Sequence, residues 1–117
     1  MAFHTMVGVE NGRAKIDLYG TFDIYAVSKF LISVETLLET PNLDEIEVHF
    51  KNVNCIDSSG LGALLQLREK AASRSCVALL CDYSGSARTI LETANFQMLF
   101  PTRPARIAEA EKILVEV

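Results

Sequence analysis

Asn54-Cys55-Ile56-Asp57-Ser58-Ser59-Gly60-Leu61-Gly62 places two glycines inside what reads as the opening turns of a helix. In a helix interior each glycine costs about 1 kcal/mol relative to alanine, and somewhat less near an end. An unfavourable choice made twice needs a reason, and the residues offer two. One is packing: Asp57 or Ser58 caps the helix, and the glycines let its first turn approach the sheet or a loop. The other is chemical: a serine hydroxyl is exposed at a helix N-terminus, where unpaired N–H groups and the helix dipole favour an added phosphate or a bound anion. Read alone, the stretch leaves both open.

The periodicity on either side gives the stretch its place in a fold. After it, a helix is expected from about Ser58 to Ser73, with Leu61, Leu64, Leu65 and Leu67 as its apolar residues and Gln66, Arg68, Glu69 and Lys70 among its polar ones. Before it, Ile46, Val48 and Phe50 alternate with Glu47, His49 and Lys51, the signature of a strand with one dry face. Further upstream, Val27, Phe30, Leu31, Val34, Leu37 and Leu38 recur at three- and four-residue steps, predicting an amphipathic helix capped by Asp23 and stopped before Pro41. Thr5 to Val9 and Ala14 to Tyr19 read as two strands joined by Glu10-Asn11-Gly12-Arg13, where Asn-Gly is a hairpin signal. Downstream, Cys76 to Cys81 is continuously apolar, as in a strand covered on both faces or central in a sheet. Ser84 or Ser86 opens a third helix through Ile90, Leu91 and Ala94, and Met98 to Phe100 is expected to form a short fifth strand. Pro104 then suits the first turn of a C-terminal helix carrying Ile107, Ala110 and Leu114.

The order β-β-α-β-α-β-α-β-α predicts an α/β domain with a mixed sheet of about five strands. Right-handed crossovers wound in one direction put the helices mainly on one face, leaving the other partly open. No repeat, linker or low-complexity tract divides the chain, so residues 1–117 are read as one domain with a core at about 5–115. Half of the 117 residues are apolar, enough for a core without disulfides or metal.

Composition removes several classes of function. Eleven basic against fifteen acidic residues give a net charge of −4, with no basic run to attract nucleic acid or anionic lipid. Apolar stretches fall far short of the roughly 20 residues that span a bilayer, and the N-terminus has no signal-peptide pattern. The expectation is a cytoplasmic protein with no nucleic-acid partner and no membrane insertion. Cys55, Cys76 and Cys81 read as reduced thiols acting as small hydrophobes, and Cys76 and Cys81, five apart on a strand, point to opposite faces. With only His4 and His49 besides, the sequence assembles no metal constellation, and no cofactor is expected.

At Ile56-Asp57-Ser58-Ser59-Gly60-Leu61-Gly62 the sequence resembles the STAS family, the domain shared by sulfate transporters and bacterial anti-sigma factor antagonists. The Gly20-x-x-Asp23 turn, the strand order and the helix from Ser84 to Phe96 correspond as well, so the resemblance covers about residues 5 to 115. It implies a noncatalytic switch protein in a partner-switching pathway. In such antagonists the first serine after the aspartate, here Ser58, is phosphorylated by a serine kinase that is also the anti-sigma factor, and a serine phosphatase restores it. The unphosphorylated form binds the kinase and frees the sigma factor. The switch region implied is Asp23, Asp57, Ser58, Ser59, Gly60, Leu61 and Gly62, with Ser59 as the acceptor instead if the helix begins one residue later. Asp23 and Asp57 read first as helix caps, a role compatible with recognition. The sequence departs from the common antagonist pattern at Thr21, where an acidic residue is usual, and at Tyr25, at the start of the first helix.

Other classes of function compete with this reading. A hydrolase is disfavoured because Ser58 lacks a G-x-S-x-G elbow and neither histidine has a sequence context suggesting a base beside it. A nucleotide- or anion-binding sensor could use the same helix N-terminus, but no glycine-rich loop with a lysine supports it. A noncatalytic STAS subunit of a lipid-transport or stress-signalling assembly would use the same fold as a structural partner. The absence of a membrane segment or attached domain argues against a transporter's module.

Overall fold

The computed structural model describes residues 2–83 and 85–103. Strands β1 (His4–Glu10) and β2 (Arg13–Phe22) form the hairpin that Asn11-Gly12 announces. Asn11 and Gly12 both have positive φ, 52° and 78°, as the two-residue turns matched to strand twist require, and Glu10 then pairs with Arg13. Helix α1 (Ile24–Leu38), strand β3 (Glu45–Ile56), helix α2 (Ser58–Ala72), strand β4 (Val77–Cys81), helix α3 (Gly85–Thr93) and the two-residue strand β5 (Thr102–Arg103) follow. The five strands lie side by side in chain order, β1 antiparallel to β2 and the rest parallel. This is a mixed-sheet α/β domain, as the alternation of periods predicts.

One face of the sheet carries the core. Ala14, Ile16 and Leu18 of β2 lie beside Ile46, Val48 and Phe50 of β3 and Ala78 and Leu80 of β4, all buried. Phe30 and Val34 of α1, Leu64 and Leu67 of α2 and Leu91 of α3 belong to the same apolar cluster. On the other face Lys15, Asp17, Glu47, His49 and Lys51 are exposed or half-buried, so the sheet is open there along β2 and β3. It closes at β4, where Leu79 and Cys81 are buried as well, and only Val77 of the apolar run is exposed. A glutamate–lysine pair, Glu35 to Lys70 at 2.6 Å, and the Arg74 guanidinium donating to the Leu38 carbonyl at 3.0 Å tie α1 to α2 and its C-terminal end.

Three expectations are corrected. Met98 to Phe100 is not a strand: Asn95, at φ 60°, ends the α3 region, and a 3-10 turn at Phe96–Met98 follows. Its hydrogen bonds, Leu99 N–H and Phe100 N–H both to the Phe96 carbonyl, bring Phe96 and Phe100 into a stacked pair at 5.7 Å. Of the short apolar run only Phe100 is buried, paired with Phe96 just before the run, while Met98 and Leu99 are exposed, and the fifth strand begins later. Strand β3 extends through Ile56, beyond the alternating segment, because its pairing with β2 continues through Phe22 and Ile56 with register shifts on the way. Leu65 does not face the core: it is 39% exposed, and the buried stripe of α2 is Gly60, Ala63, Leu64, Leu67 and Ala71. Small residues set the phase of that helix, which a reading weighted to leucines misses. The C-terminal helix expected from Pro104, and Ser84 as a helix start, lie outside the described residues.

Leu64 is fully buried. Leu64→Ala should therefore cost about 2–5 kcal/mol in urea unfolding, whereas Leu65→Ala should stay within about 0.5 kcal/mol. Equal losses at the two positions would show that α2 turns a different face to the sheet.

Candidate functional site

The pairing of Phe22 with Ile56 puts the C-terminal ends of β2 and β3 side by side. One residue beyond each stands an aspartate, and each aspartate caps the helix that follows. Asp23 accepts a hydrogen bond from the Tyr25 N–H at 3.0 Å. One oxygen of Asp57 accepts from both the Ser59 N–H at 2.9 Å and the Gly60 N–H at 3.1 Å. The two helix N-termini, with their positive dipole ends, thus emerge together at one edge of the domain. Parallel strand order does this, since both strands run toward the same edge before their helices turn back.

The glycine pair resolves into two different roles. A Cβ on Gly60 would lie 2.5 Å from the Phe22 carbonyl oxygen and 3.1 Å from the Phe22 ring and from Ile56. That carbonyl also accepts the Asp57 N–H at 3.2 Å. Gly60 is therefore required for the first turn of α2 to lie against the end of β2, which is the packing reason. Gly62 has nothing within 4 Å of the Cβ it lacks, so packing does not require it. It stands one helical turn after Ser58 on the same face, and leaves the surface beside that residue bare.

Ser58 is the first residue of α2 and is exposed. Ser59 is half-buried, with its N–H held by Asp57, and Leu61 packs partly against the core. All seven residues of the predicted switch region thus come together at this edge, around the ends of β2 and β3. Thr21 and Tyr25 join Asp23 in a cleft of about 270 Å³ also lined by Ala2, Phe3, Ala26 and Lys29. Tyr25 is 90% exposed and Ile24 60%, an apolar fringe on the α1 side of the site. Sequence reasoning missed Phe3 as part of the site's support. It is buried, its ring stacks on Phe22 at 5.3 Å, and the Lys29 ammonium donates to its carbonyl at 3.1 Å. An isolated aromatic three residues into the chain carries no periodic signal.

Residues 6–110 match the STAS domain. The chain belongs to the STAS domain family. It is similar to a STAS-domain containing protein from Pseudomonas aeruginosa strain UCBPP-PA14, 32% identical over 100 residues that cover 86% of this chain and 97% of that one. Among solved structures, an anti-sigma factor antagonist from Mycobacterium paratuberculosis superimposes with a TM-score of 0.78 at 15% identity, over 89% of this chain and 87% of that one. The anti-sigma factor antagonist SpoIIAA in its unphosphorylated form gives 0.69 at 22% identity, over 99% and 100%. The Bacillus cell fate determinant SpoIIAA in the phosphorylated form gives 0.66 at 20%, over 94% and 98%. At these identities the likeness establishes a shared fold. No helix among the described residues of this STAS domain is long and apolar enough to cross a membrane.

The split between the glycines has a direct consequence. Gly60→Ala should destabilise the domain by about 1–3 kcal/mol through overpacking against Phe22, and Gly62→Ala should stabilise it by about 0.4–1 kcal/mol. Asp57→Ala should cost about 0.5–2 kcal/mol through the lost cap. Urea unfolding of the three variants checks the ordering, and a destabilising Gly62→Ala would contradict the open space found there.

Proposed function

We propose that this STAS domain is an anti-sigma factor antagonist that acts by partner switching through Ser58. The observation that carries the reading is the exposure of Ser58 at the first position of α2, with bare surface kept beside it by a glycine that the fold does not need. A helix-destabilising residue at Gly62 is explained by access: a kinase must reach the Ser58 hydroxyl, and a partner surface must sit close to it. Ser58 is preferred to Ser59 because the latter is half-buried. The likeness to anti-sigma factor antagonists, one of them known in both unphosphorylated and phosphorylated forms, supports the same reading.

In this mechanism the unphosphorylated protein binds an anti-sigma factor that is also a serine kinase, and the sigma factor is released. The kinase then transfers a phosphoryl group to Ser58, adding about −1.5 to −2 of charge at pH 7 to a protein of net charge −4. The fold tolerates the new charge, since the N-terminus of α2 favours an anion by about 0.3–1 kcal/mol. The interface does not: the phosphate stands beside the Asp57 carboxylate, and both must be desolvated or face the partner's own acidic groups. Binding is lost while structure is kept, until a serine phosphatase removes the group. In this reading the protein supplies the hydroxyl and the kinase the catalysis.

The test is a titration of the cognate kinase with wild-type, Ser58→Ala and Ser58→Asp proteins, with mass spectrometry after ATP is added. Ser58→Ala should bind and resist modification, and Ser58→Asp should bind at least tenfold more weakly, about 1.4 kcal/mol. Gly62→Ala should bind more weakly although it is more stable. Equal affinities for all variants, or phosphate only at other residues, would favour a structural STAS subunit whose partner ignores Ser58.

A further inference from the structure

Where the second face of the sheet passes from open at β3 to closed at β4 it holds a second chemical cluster, unrelated to the Ser58 edge. Glu47 and His49 are two residues apart on β3 and so share a face, and the parallel register sets Cys81 of β4 opposite His49. Asp82, one residue past the end of β4, adopts φ 56°, a left-handed conformation that aspartate tolerates better than most side chains. Its carboxylate oxygen lies 2.8 Å from His49 Nδ1, while the other ring nitrogen, Nε2, lies 2.9 Å from Glu47 Oε1. The donor atoms of Glu47, His49 and Cys81 all lie within 4.8 Å of one another.

We infer that Glu47, His49 and Cys81 form a binding site for a divalent cation of the zinc type, with Asp82 orienting His49. Imidazole, thiolate and carboxylate together make a donor set suited to a borderline-soft ion, and unsuited to magnesium or calcium. Zinc bonds of about 2.0–2.3 Å in tetrahedral geometry put donor atoms roughly 3.4–3.6 Å apart. The Glu47–His49 contact must widen by about half an ångström, and the longest separations must close by roughly 1 Å, shifts within reach of side-chain motion. A carboxylate held on Nδ1 is the usual partner of a metal-bound histidine, because it fixes the tautomer that leaves Nε2 to the metal. An imidazole bridging two carboxylates would account for Glu47, His49 and Asp82 alone. A metal would draw Cys81, opposite the ring, into the same donor set.

Binding removes the Cys81 thiol proton, and the Nε2 proton where one is present, and releases both to the buffer. The side chains of Glu47 and His49 keep 15% and 12% of their surface exposed, so the ion enters past them rather than past buried Cys81. Three protein ligands leave a fourth position for water or for a group from a partner. An ion there clamps β3 to β4 at the turn that leads toward α3, whose Ser86 hydroxyl donates to the Asn54 carbonyl near the end of β3. The clamp therefore braces the same strand from which the Ser58 turn emerges, although the ion's ligands are independent of whether Ser58 is a phosphorylation site.

The experiment is a titration of the reduced full chain with cobalt(II) and zinc(II), followed by absorption and calorimetry. One ion per chain should bind, with the charge-transfer band of a cobalt-bound thiolate that zinc displaces. Cys81→Ser should abolish the band, Glu47→Gln should weaken binding at least tenfold, and Asp82→Asn should keep the band while weakening binding by about 10–100-fold. Cys55→Ser and Cys76→Ser should leave it unchanged, and circular dichroism checks that each variant is folded. Absence of a thiolate band with the folded wild-type chain at millimolar cobalt overturns the inference. So does a band lost in Cys55→Ser or retained in Cys81→Ser; should Cys81→Ser fail to fold, unchanged affinity in Glu47→Gln overturns it instead.

Discussion

The contact between the end of β2 and the first turn of α2 is the constraint from which the site follows. The Phe22 carbonyl accepts the Asp57 N–H and leaves no room for a side chain at Gly60. The Phe22 ring, fully buried, packs against Phe3 on one side and Phe30 of α1 on the other, at 5.3 and 4.9 Å. One residue thus joins the N-terminal segment, helices α1 and α2 and the strand ends. With Gly60 pressed against it, the axis of α2 is fixed where it leaves the sheet. Ser58 is exposed between Asp57, which is committed to capping, and Gly60, two residues on, which is committed to packing.

That arrangement separates the residues that hold the fold from exposed ones at the start of the same helix. The buried face of α2 is built from Gly60, Ala63, Leu64 and Leu67, while Ser58 and Gly62 lie off that face and carry little of the fold's energy. A charge placed on Ser58 meets a helix dipole that accepts it, so a modification can change what the surface binds without changing what the core holds. The neighbouring cleft is lined by Thr21, Asp23 and Tyr25, on the α1 side of the same edge.

Much of this is legible in the chain itself. The alternation in Ala14 to Tyr19 and Ile46 to Lys51, the three-four spacing from Val27 to Leu38, and the Asn11-Gly12 turn are local signals, fixed by the pleat of a strand, the pitch of a helix and the φ angles of a turn. Asp23 and Asp57 are readable as caps for the same reason, since a cap acts within three residues of itself. Sequence reading fails where large apolar side chains outweigh small ones. Leucine at position 65 suggests the core, yet Leu65 is at the surface, while Ala63 and Ala71, which set the true phase of α2, carry weak hydropathy signals. The run at Met98 to Phe100 reads as a strand because three apolar residues in a row look the same whether they form a short strand or the end of a tight turn anchored by Phe100 and, two residues before the run, Phe96.

The sequence by itself determined the order of elements from β1 to β4 and the Asp23 cap, because each rests on interactions within a few residues. Only the tertiary structure decided which glycine was structural and which was not. Gly60 and Gly62 are equivalent as letters in an opening helical turn, and they differ solely because the Phe22 carbonyl, distant in the chain, stands over one and not the other. The same holds for Glu47, His49, Cys81 and Asp82, drawn from two separate strands and the turn beyond, and brought together by strand register. Local chemistry writes secondary structure along the chain, whereas a site built across neighbouring strands exists only once the sheet has chosen its register.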